Sequence, residues 1–373
     1  MVHGAFLGSS VARLSLWFAV SWFGVSLSAQ TTATPAPAPA NDTVHGRVEV
    51  HDGLRLLRTW GTPKERGFAH GYLLANDIAL SVRTEFAARF SRKPGMLKFA
   101  RQSLPRMIEY PSAIAIEIDA LFDGLLASGV DLDMPELDRA IDVVDLRVAN
   151  ALDVFGLMGC SGFTVYGDDV DGGGVLSGRN FDWPVTGRHL VDQTLVMVQH
   201  GVSGRAVASV TWPGFVGTVT GVNEDGIAAY LHIGTGEITF TPEPSSWPTA
   251  IAARAILEEA PANDPKAAFA LSLDRLGYTS PPAGFLTRVV LPAASANESP
   301  VGLFEADRDR VVRAEKGGMS IVTNHFQGRD DGRAASKDSL DRFEAVRRCL
   351  GDCLLAGDQK VSVAEAWTAL SEV

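Results

Sequence analysis

The chain has 373 residues, 46% hydrophobic and 21% charged, a globular composition with enough length for one large domain or two modest ones. Its 44 acidic side chains outnumber 33 basic ones, for a formal charge of -11. No dense Lys/Arg run is present to track a phosphate backbone, so nucleic acid is not an expected partner.

At the amino end, Arg13 precedes an apolar stretch from Leu14 to Leu27 that contains Trp17, Phe18, Trp22 and Phe23, followed by small residues through Ala29. This is the pattern of a signal peptide over residues 1–29. The alternative is an uncleaved membrane tether, although the stretch is short for a comfortable span. The run TTATPAPAPA lies within a Pro/Ala-rich linker, residues 30–44, expected to be extended. No later segment is apolar enough to span a bilayer, so after signal removal no stable membrane span is expected and the protein is read as exported, periplasmic or secreted.

From Gly46 the alternation in GRVEVHDGLRLLRTW predicts a strand or hairpin, and RGFAHGYLLANDIAL after it a helix packed by its leucines. The pattern then stays mainly helical to about Val154, with apolar residues at three-to-four spacing in MIEYPSAIAIEIDALFDGLL and MPELDRAIDVVDLRVANAL. At Gly159 it changes. Short strand-like runs follow one another in CSGFTVYGDD, GVLSGRNFDW, TLVMVQHG, RAVASVTW, FVGTVTGVN and GIAAYLHIG, separated by Gly, Asp and Pro turns. Two helices come next, TAIAARAILEEA and DPKAAFALSLDRLG, the second opened by Asp264 as a cap with Pro265 at its first position. Strands resume in FLTRVVLP, VGLFEAD, RVVRAE and SIVTNHF, and the carboxyl end is helical in SLDRFEAVRRCLGDCLL and VAEAWTALSEV. Blocks of adjacent strands alternating with blocks of helices predict an α+β layered fold.

Three cysteines are present, Cys160, Cys349 and Cys353. The last two, four apart, form either a local disulfide or a pair of reduced thiols, and Cys160 is the odd one. Gly159 before it leaves the preceding carbonyl unhindered and permits a strained backbone, which attack by a side chain on its own upstream peptide requires. Such an attack passes through a thioester and frees the residue 160 amine. With a pKa of roughly 7.7–8.0, that amine can take the thiol proton without any histidine. Arg179 and Asp182 follow in GRNFDW; Arg179 can lower the thiol pKa and Asp182 can orient the new ammonium. Strand alternation does not put both on one face, so a bulge or a strand end is required, and an ordinary surface ion pair is the alternative. Asn223 in GVNEDG and Asn324 in TNHF sit at strand ends where an amide can donate to an oxyanion, or simply serve as a turn residue and a cap. Phe163, Phe181, Trp183, Trp212 and Phe215 are candidates to line an acyl pocket or to pack the core.

Taken together, GFAHGYLLA, MGCSGF, GRNFDWP, WPG with GVNEDGIA, and TNHF with DSLDRFEAV, in this order over residues 45–345, resemble the penicillin (isopenicillin N) acyltransferase-like branch of the N-terminal-nucleophile (Ntn) hydrolase superfamily. That branch is related to choloylglycine hydrolases, acid ceramidase and N-acylethanolamine acid amidases. The resemblance implies a four-layer αββα sandwich of antiparallel sheets and self-cleavage at Gly159–Cys160. It divides the chain into a helical pro-segment, 45–159, that stays associated, and a catalytic chain, 160–373. It further implies a cysteine nucleophile, Cys160, acting on a small N-acyl amide, with Arg179 and Asp182 as partners, Asn324 as an oxyanion donor and Asn223 as a weaker one. Arg342 matches the motif and is expected to be a structural ion-pair residue, His325 to pack nearby, and His70 to hold a helix start. Two departures stand out: a longer stretch between Cys160 and Arg179, holding DDVDGGG and read as a lengthened hairpin turn, and an end at Val373 after a helix, where relatives typically add strands. No metal or organic cofactor is implied, since no cluster has ligand spacing. The competing readings are an acyltransferase, in which an amine resolves the thioester, and an exported binding module with an inert Cys160. A papain-like protease is disfavoured because the cysteine opens a strand-rich region rather than a helix.

Overall fold

A computed structural model describes residues 44–151, 159–182, 189–202, 204–234, 246–279, 284–292, 299–314, 319–329 and 334–373. The expected leader, nearly all of the linker, Met158 and Trp183 lie outside these residues. Among the described residues no helix is long and apolar enough to cross a membrane.

The fold is α+β. It opens with a hairpin of β1 (Gly46–His51) and β2 (Leu54–Gly61), turned by Asp52 and Gly53 at φ 50° and 82°, the left-handed pair that a two-residue turn between twisted strands requires. Thr62 and Glu65 form a reciprocal cap for α1 (Pro63–Leu73). The single helix expected over RGFAHGYLLANDIAL is two, because the chain leaves helical geometry at Leu74 before α2 (Ala75–Phe90). Then follow α3 (Pro94–Gln102), α4 (Leu104–Met107), α5 (Ser112–Ser128), the small ladder β3 (Asp133–Met134) with β4 (Arg139–Ala140), and α6 (Val143–Ala149). Helices α1 and α5 meet backbone to backbone: a Cβ on Gly71 would stand 1.9 Å from the Leu121 carbonyl oxygen, so no larger residue fits there.

After Gly159 come β5 (Gly159–Tyr166) and β6 (Val175–Asp182), an antiparallel pair in unbroken register from Gly159 opposite Asp182 to Tyr166 opposite Val175. The DDVDGGG segment is the lengthened turn of this hairpin. Next are α7 (His189–Asp192), β7 (Leu195–Gly201), β8 (Val207–Thr211), β9 (Thr220–Asn223), β10 (Ala228–Ile233), α8 (Thr249–Glu259), α9 (Pro265–Gly277), β11 (Phe285–Val290), β12 (Val301–Ala306), β13 (Val311–Ala314), β14 (Ser320–Val322), α10 (Lys337–Leu355) and α11 (Val363–Ser371). Asp264 caps α9 as expected, accepting from the Ala267 amide at 2.9 Å.

Among the described residues, nine strands form one sheet, in the order β1-β2-β7-β8-β9-β10-β11-β12-β13, and β14-β5-β6 form a second. All pairs are antiparallel except β2 with β7. The upstream segment is therefore not purely helical: its hairpin extends the same sheet that β7 to β13 build. Ala252, Ile256 and Leu257 of α8, with Ala268, Phe269 and Leu276 of α9, pack on Val207, Ala229, Val289 and Phe304 of the large sheet. Val346 and Leu350 of α10 and Ala366, Ala369 and Leu370 of α11 pack on Phe163, Val165, Leu176 and Ile321 of the small one. Leu286 and Leu303 meet Val322, and Tyr230 and Val290 meet Val175, where the two sheets face each other.

Candidate active site

Cys160 is wholly buried in β5. Its sulfur receives a hydrogen bond from Arg179 Nη2 at 3.1 Å and lies 3.7 Å from the Leu231 carbonyl oxygen. Arg179 also donates to that carbonyl and, through Nη1, to Thr220 Oγ1 at 2.5 Å, while its Cζ stands 4.6 Å from the Phe181 ring centre. A guanidinium held at this many points cannot swing away from the sulfur. Burial pushes the Cys160 thiol up from its ordinary value, against the pull of the Arg179 charge, and nearby Asp182 adds to the rise.

The ladder runs regularly through both Arg179 and Asp182, so the two side chains meet the Cys160 segment at different places. Arg179 lies opposite Gly162 within the ladder, whereas Asp182 is the last residue of β6 and lies opposite Gly159. A Cβ on Gly159 would come within 3.2 Å of Asp182 Oδ2, so the carboxylate stands beside the residue whose carbonyl the sulfur would attack.

The backbone of Cys160 is gripped from the other side. Its amide donates to Asn324 Oδ1 at 2.8 Å, and the Asn324 Nδ2 donates to the Ile233 carbonyl at 2.8 Å. Arg342 of α10 donates to the Cys160 carbonyl, to Ser161 Oγ and to Asn324 Oδ1, and its other bonds run to Asp338. Arginine has no acceptor, so its bond fixes which end of the Asn324 amide is oxygen. Asn324 thus receives the residue 160 nitrogen, where the sequence reading had it donating to an oxyanion. Arg342 does more than the expected ion pair: it also holds the carbonyl of Cys160.

Three expectations do not meet the site. Asn223 closes the β9–β10 turn, its oxygen accepting from the Asp225 and Ile227 amides and its nitrogen donating to the Leu257 carbonyl. It also stands three residues along β9 from Thr220, about 10 Å from the residue that touches Arg179. Phe163 packs with Leu370 and Val346 on the helix-covered side of the small sheet. It is three residues from Cys160 on a regular strand, an odd separation that sends the two side chains to opposite faces. His70 holds no helix start. It lies in the last turn of α1, where its Nε2 accepts from the Gly214 amide at 2.9 Å. His325 packs edge-on against Phe343 and shares its Nδ1 with Thr323 and Ser339.

Trp212 and Phe215 do come to the site's edge. The rings of Phe181 and Trp212 are 5.2 Å apart and those of Trp212 and Phe215 6.3 Å apart. A cavity of about 20 Å³ lies among Arg179, Phe181, Val210, Trp212, Val219 and Thr220. Two further buried basic side chains lie beside the site, one charged and one neutral. Arg288 is fully buried, donates to the Gly178 carbonyl at 3.0 Å and lies over the Tyr230 ring, and burial lowers its pKa to about 10. His232, also fully buried, is held neutral by burial and by the neighbouring arginines. Both crowd Gly162, where a Cβ would meet Arg288 Nη2 at 2.9 Å and His232 Cε1 at 3.1 Å. An arginine in the middle of the apolar strand FLTRVV was the available signal.

No family model matches the chain. An uncharacterized protein of Archaeoglobus fulgidus is 28% identical over 199 residues, covering 48% of this chain and 33% of that protein, so the match spans about a third of the relative's length. Among solved structures, a Caenorhabditis elegans N-acylethanolamine-hydrolyzing acid amidase ortholog is similar over 57% of this chain and 86% of its own, at 13% identity and a TM-score of 0.38. A mutant conjugated bile acid hydrolase from Clostridium perfringens is similar over 59% and 76%, at 10% identity and a TM-score of 0.30. With likeness this distant, what the protein does must come from the site.

Proposed function

We propose that this protein is an autoproteolytically activated N-terminal-nucleophile hydrolase that cleaves a linear amide bond of an N-acylated small molecule through a thioester on Cys160. In this reading it belongs to the penicillin acyltransferase-like branch, its two sheets and flanking helices form a four-layer αββα sandwich, and it is exported behind its leader. The observation that carries the reading is the double grip on one residue: Arg179 on the sulfur at 3.1 Å and Asn324 on the nitrogen at 2.8 Å, next to a glycine with a carboxylate beside it.

In maturation the sulfur adds to the Gly159 carbonyl and the bond to the residue 160 nitrogen breaks, the thiol proton ending on that nitrogen. Water then hydrolyses the thioester, leaving a Gly159 carboxylate, a thiol and a free amine. Asn324 Oδ1, already accepting from this nitrogen, orients the amine, and Asp182 favours its protonated form. In turnover the amine takes the thiol proton and the Arg179 charge favours the resulting thiolate. The thiolate adds to the substrate carbonyl, the ammonium returns the proton to the departing amine, and water releases the acid from the thioester. Arg342 keeps the Cys160 carbonyl out of the reaction path.

Denaturing electrophoresis and terminal sequencing of the purified protein test this: two fragments are expected, the second starting at Cys160, and one uncleaved chain in Cys160→Ala. Wild-type protein that stays whole yet hydrolyses amides would end the proposal. A panel of N-acyl amino acids, N-acylethanolamines, ceramides, bile-salt conjugates and penicillins would then identify the substrate.

A further inference from the structure

The loop from Trp212 to Val219 joins β8 to β9, and its central backbone groups are met by side chains from elsewhere. The Gly214 amide donates to His70 Nε2 at 2.9 Å, and the Gly214 carbonyl accepts from Asn150 Nδ2 at 2.8 Å. The Val216 amide donates to Asn150 Oδ1 at 2.7 Å. The Val216 carbonyl accepts from Arg254, whose guanidinium is bound in turn by Glu117 at 2.9 Å and 3.0 Å. His70, Asn150 and Glu117 all precede Gly159, and all three are buried. Gly214 itself sits at φ 86°, with Ile78 of α2 against it. The side chains on this loop lead back to the nucleophile: Phe215 and Trp212 stack toward Phe181, Phe181 lies under Arg179, and Arg179 holds the Cys160 sulfur.

We infer that the segment upstream of Gly159 sets the acyl specificity of the site, with His70 and Asn150 as positioning residues that fix Trp212 and Phe215 as the wall facing the bulk of the acyl group. The inference rests on the amide-hydrolase reading above and adds what the cleaved segment is for. A paired backbone amide and carbonyl at Gly214, with a second amide at Val216, leave the loop little freedom to slide. A neutral imidazole is required, because only an unprotonated Nε2 can accept. The small cavity beside Arg179 is walled by Phe181, Trp212, Val210 and Val219, with Thr194, Thr220 and Arg179 itself as its polar groups. An aromatic and aliphatic lining favours the apolar part of an acyl group over the amine portion of the substrate.

The test uses the full processed protein and two amides of one amine, acetyl and phenylacetyl. In His70→Leu the ratio of kcat/KM for phenylacetyl over acetyl is expected to fall about tenfold, carried by KM, the size of effect a displaced apolar wall produces. His70→Gln, whose carboxamide oxygen can accept from Gly214, should restore most of the ratio. A ratio unmoved in His70→Leu, or one not restored by His70→Gln, overturns the inference. Amide hydrogen exchange on the wild type decides the matter if a variant fails to fold: Gly214 and Val216 should exchange slowly in the cleaved protein, and exchange at the rate of an open loop overturns the inference on its own. A wild type that turns over neither amide instead counts against the hydrolase reading, so the two failures are told apart.

Discussion

Replacing Arg179 by methionine keeps most of the side chain's volume and removes a buried cation together with its 3.1 Å hydrogen bond to the Cys160 sulfur. A hydrogen bond to a charged group is worth about 1.5–3 kcal/mol. Because it serves the thiolate and not the thiol, its loss raises the thiol pKa by about one to two units. The midpoint for alkylation of the mature protein by iodoacetamide should move to higher pH by that amount, and the rate below the midpoint should fall about 10- to 100-fold. The same substitution strips a donor from the Leu231 carbonyl and from Thr220 Oγ1, which costs roughly 1–3 kcal/mol of stability and is read separately by thermal unfolding. Arg179→Lys restores a charge without the planar fork and should lie between the two. A folded Arg179→Met protein whose alkylation midpoint stays where the wild type's is, or moves down, would refute the account of how this thiol is activated.

Glu117 is 1% exposed between Arg66 at 2.9 Å and Arg254 at 2.9 Å, with Gln199 donating at 2.7 Å. Glu117→Gln leaves two buried guanidinium groups short of a counter-charge and should destabilise by about 3–5 kcal/mol, seen as a melting temperature lower by roughly 5–15 °C. His70 is depressed by burial from 6.5 to about 4, so the unfolded chain takes its proton first as pH falls. Its contribution is present in full above pH 6.5 and is lost on the way down to pH 4, a difference of about 3 kcal/mol that should be absent from the pH dependence of unfolding in His70→Gln. In Asn324→Leu the Cys160 amide and Arg342 both lose their acceptor, and self-cleavage followed by electrophoresis should slow about 100-fold, the cost of a reacting group held out of place. Cleavage at the wild-type rate would remove Asn324 from the site.

Much of the local structure was legible because it is decided by near neighbours. Asp-Gly between alternating runs makes the β1–β2 turn, Asp264 before Pro265 starts α9, and the glycine-rich DDVDGGG segment turns β5 into β6. The candidate nucleophile is proposed on equally local grounds, since Gly-Cys at the head of a strand-rich region carries its own chemistry. Alternation alone places Phe163, three residues from Cys160, on the face away from the sulfur. The stretch FVGTVTGVN shows the limit: its residues are fit for a strand, yet only Thr220–Asn223 pair, because side chains from an earlier part of the chain occupy the backbone of the preceding loop.

What the sequence determined by itself was most of the elements, their turns and caps, and the position of Cys160 at the head of β5. What only the tertiary structure decided was which distant groups reach that residue: Arg342, 182 positions away, on the Cys160 carbonyl; Asn324, 164 away, on its nitrogen; His70 and Asn150 behind the aromatic loop. Caps, turns and alternation follow from bonds between residues a few positions apart. The docking of α10 against β5, and of α1 and α6 behind the β8–β9 loop, follows from burying whole apolar faces, and no short stretch of sequence records which polar side chains that burial brings together.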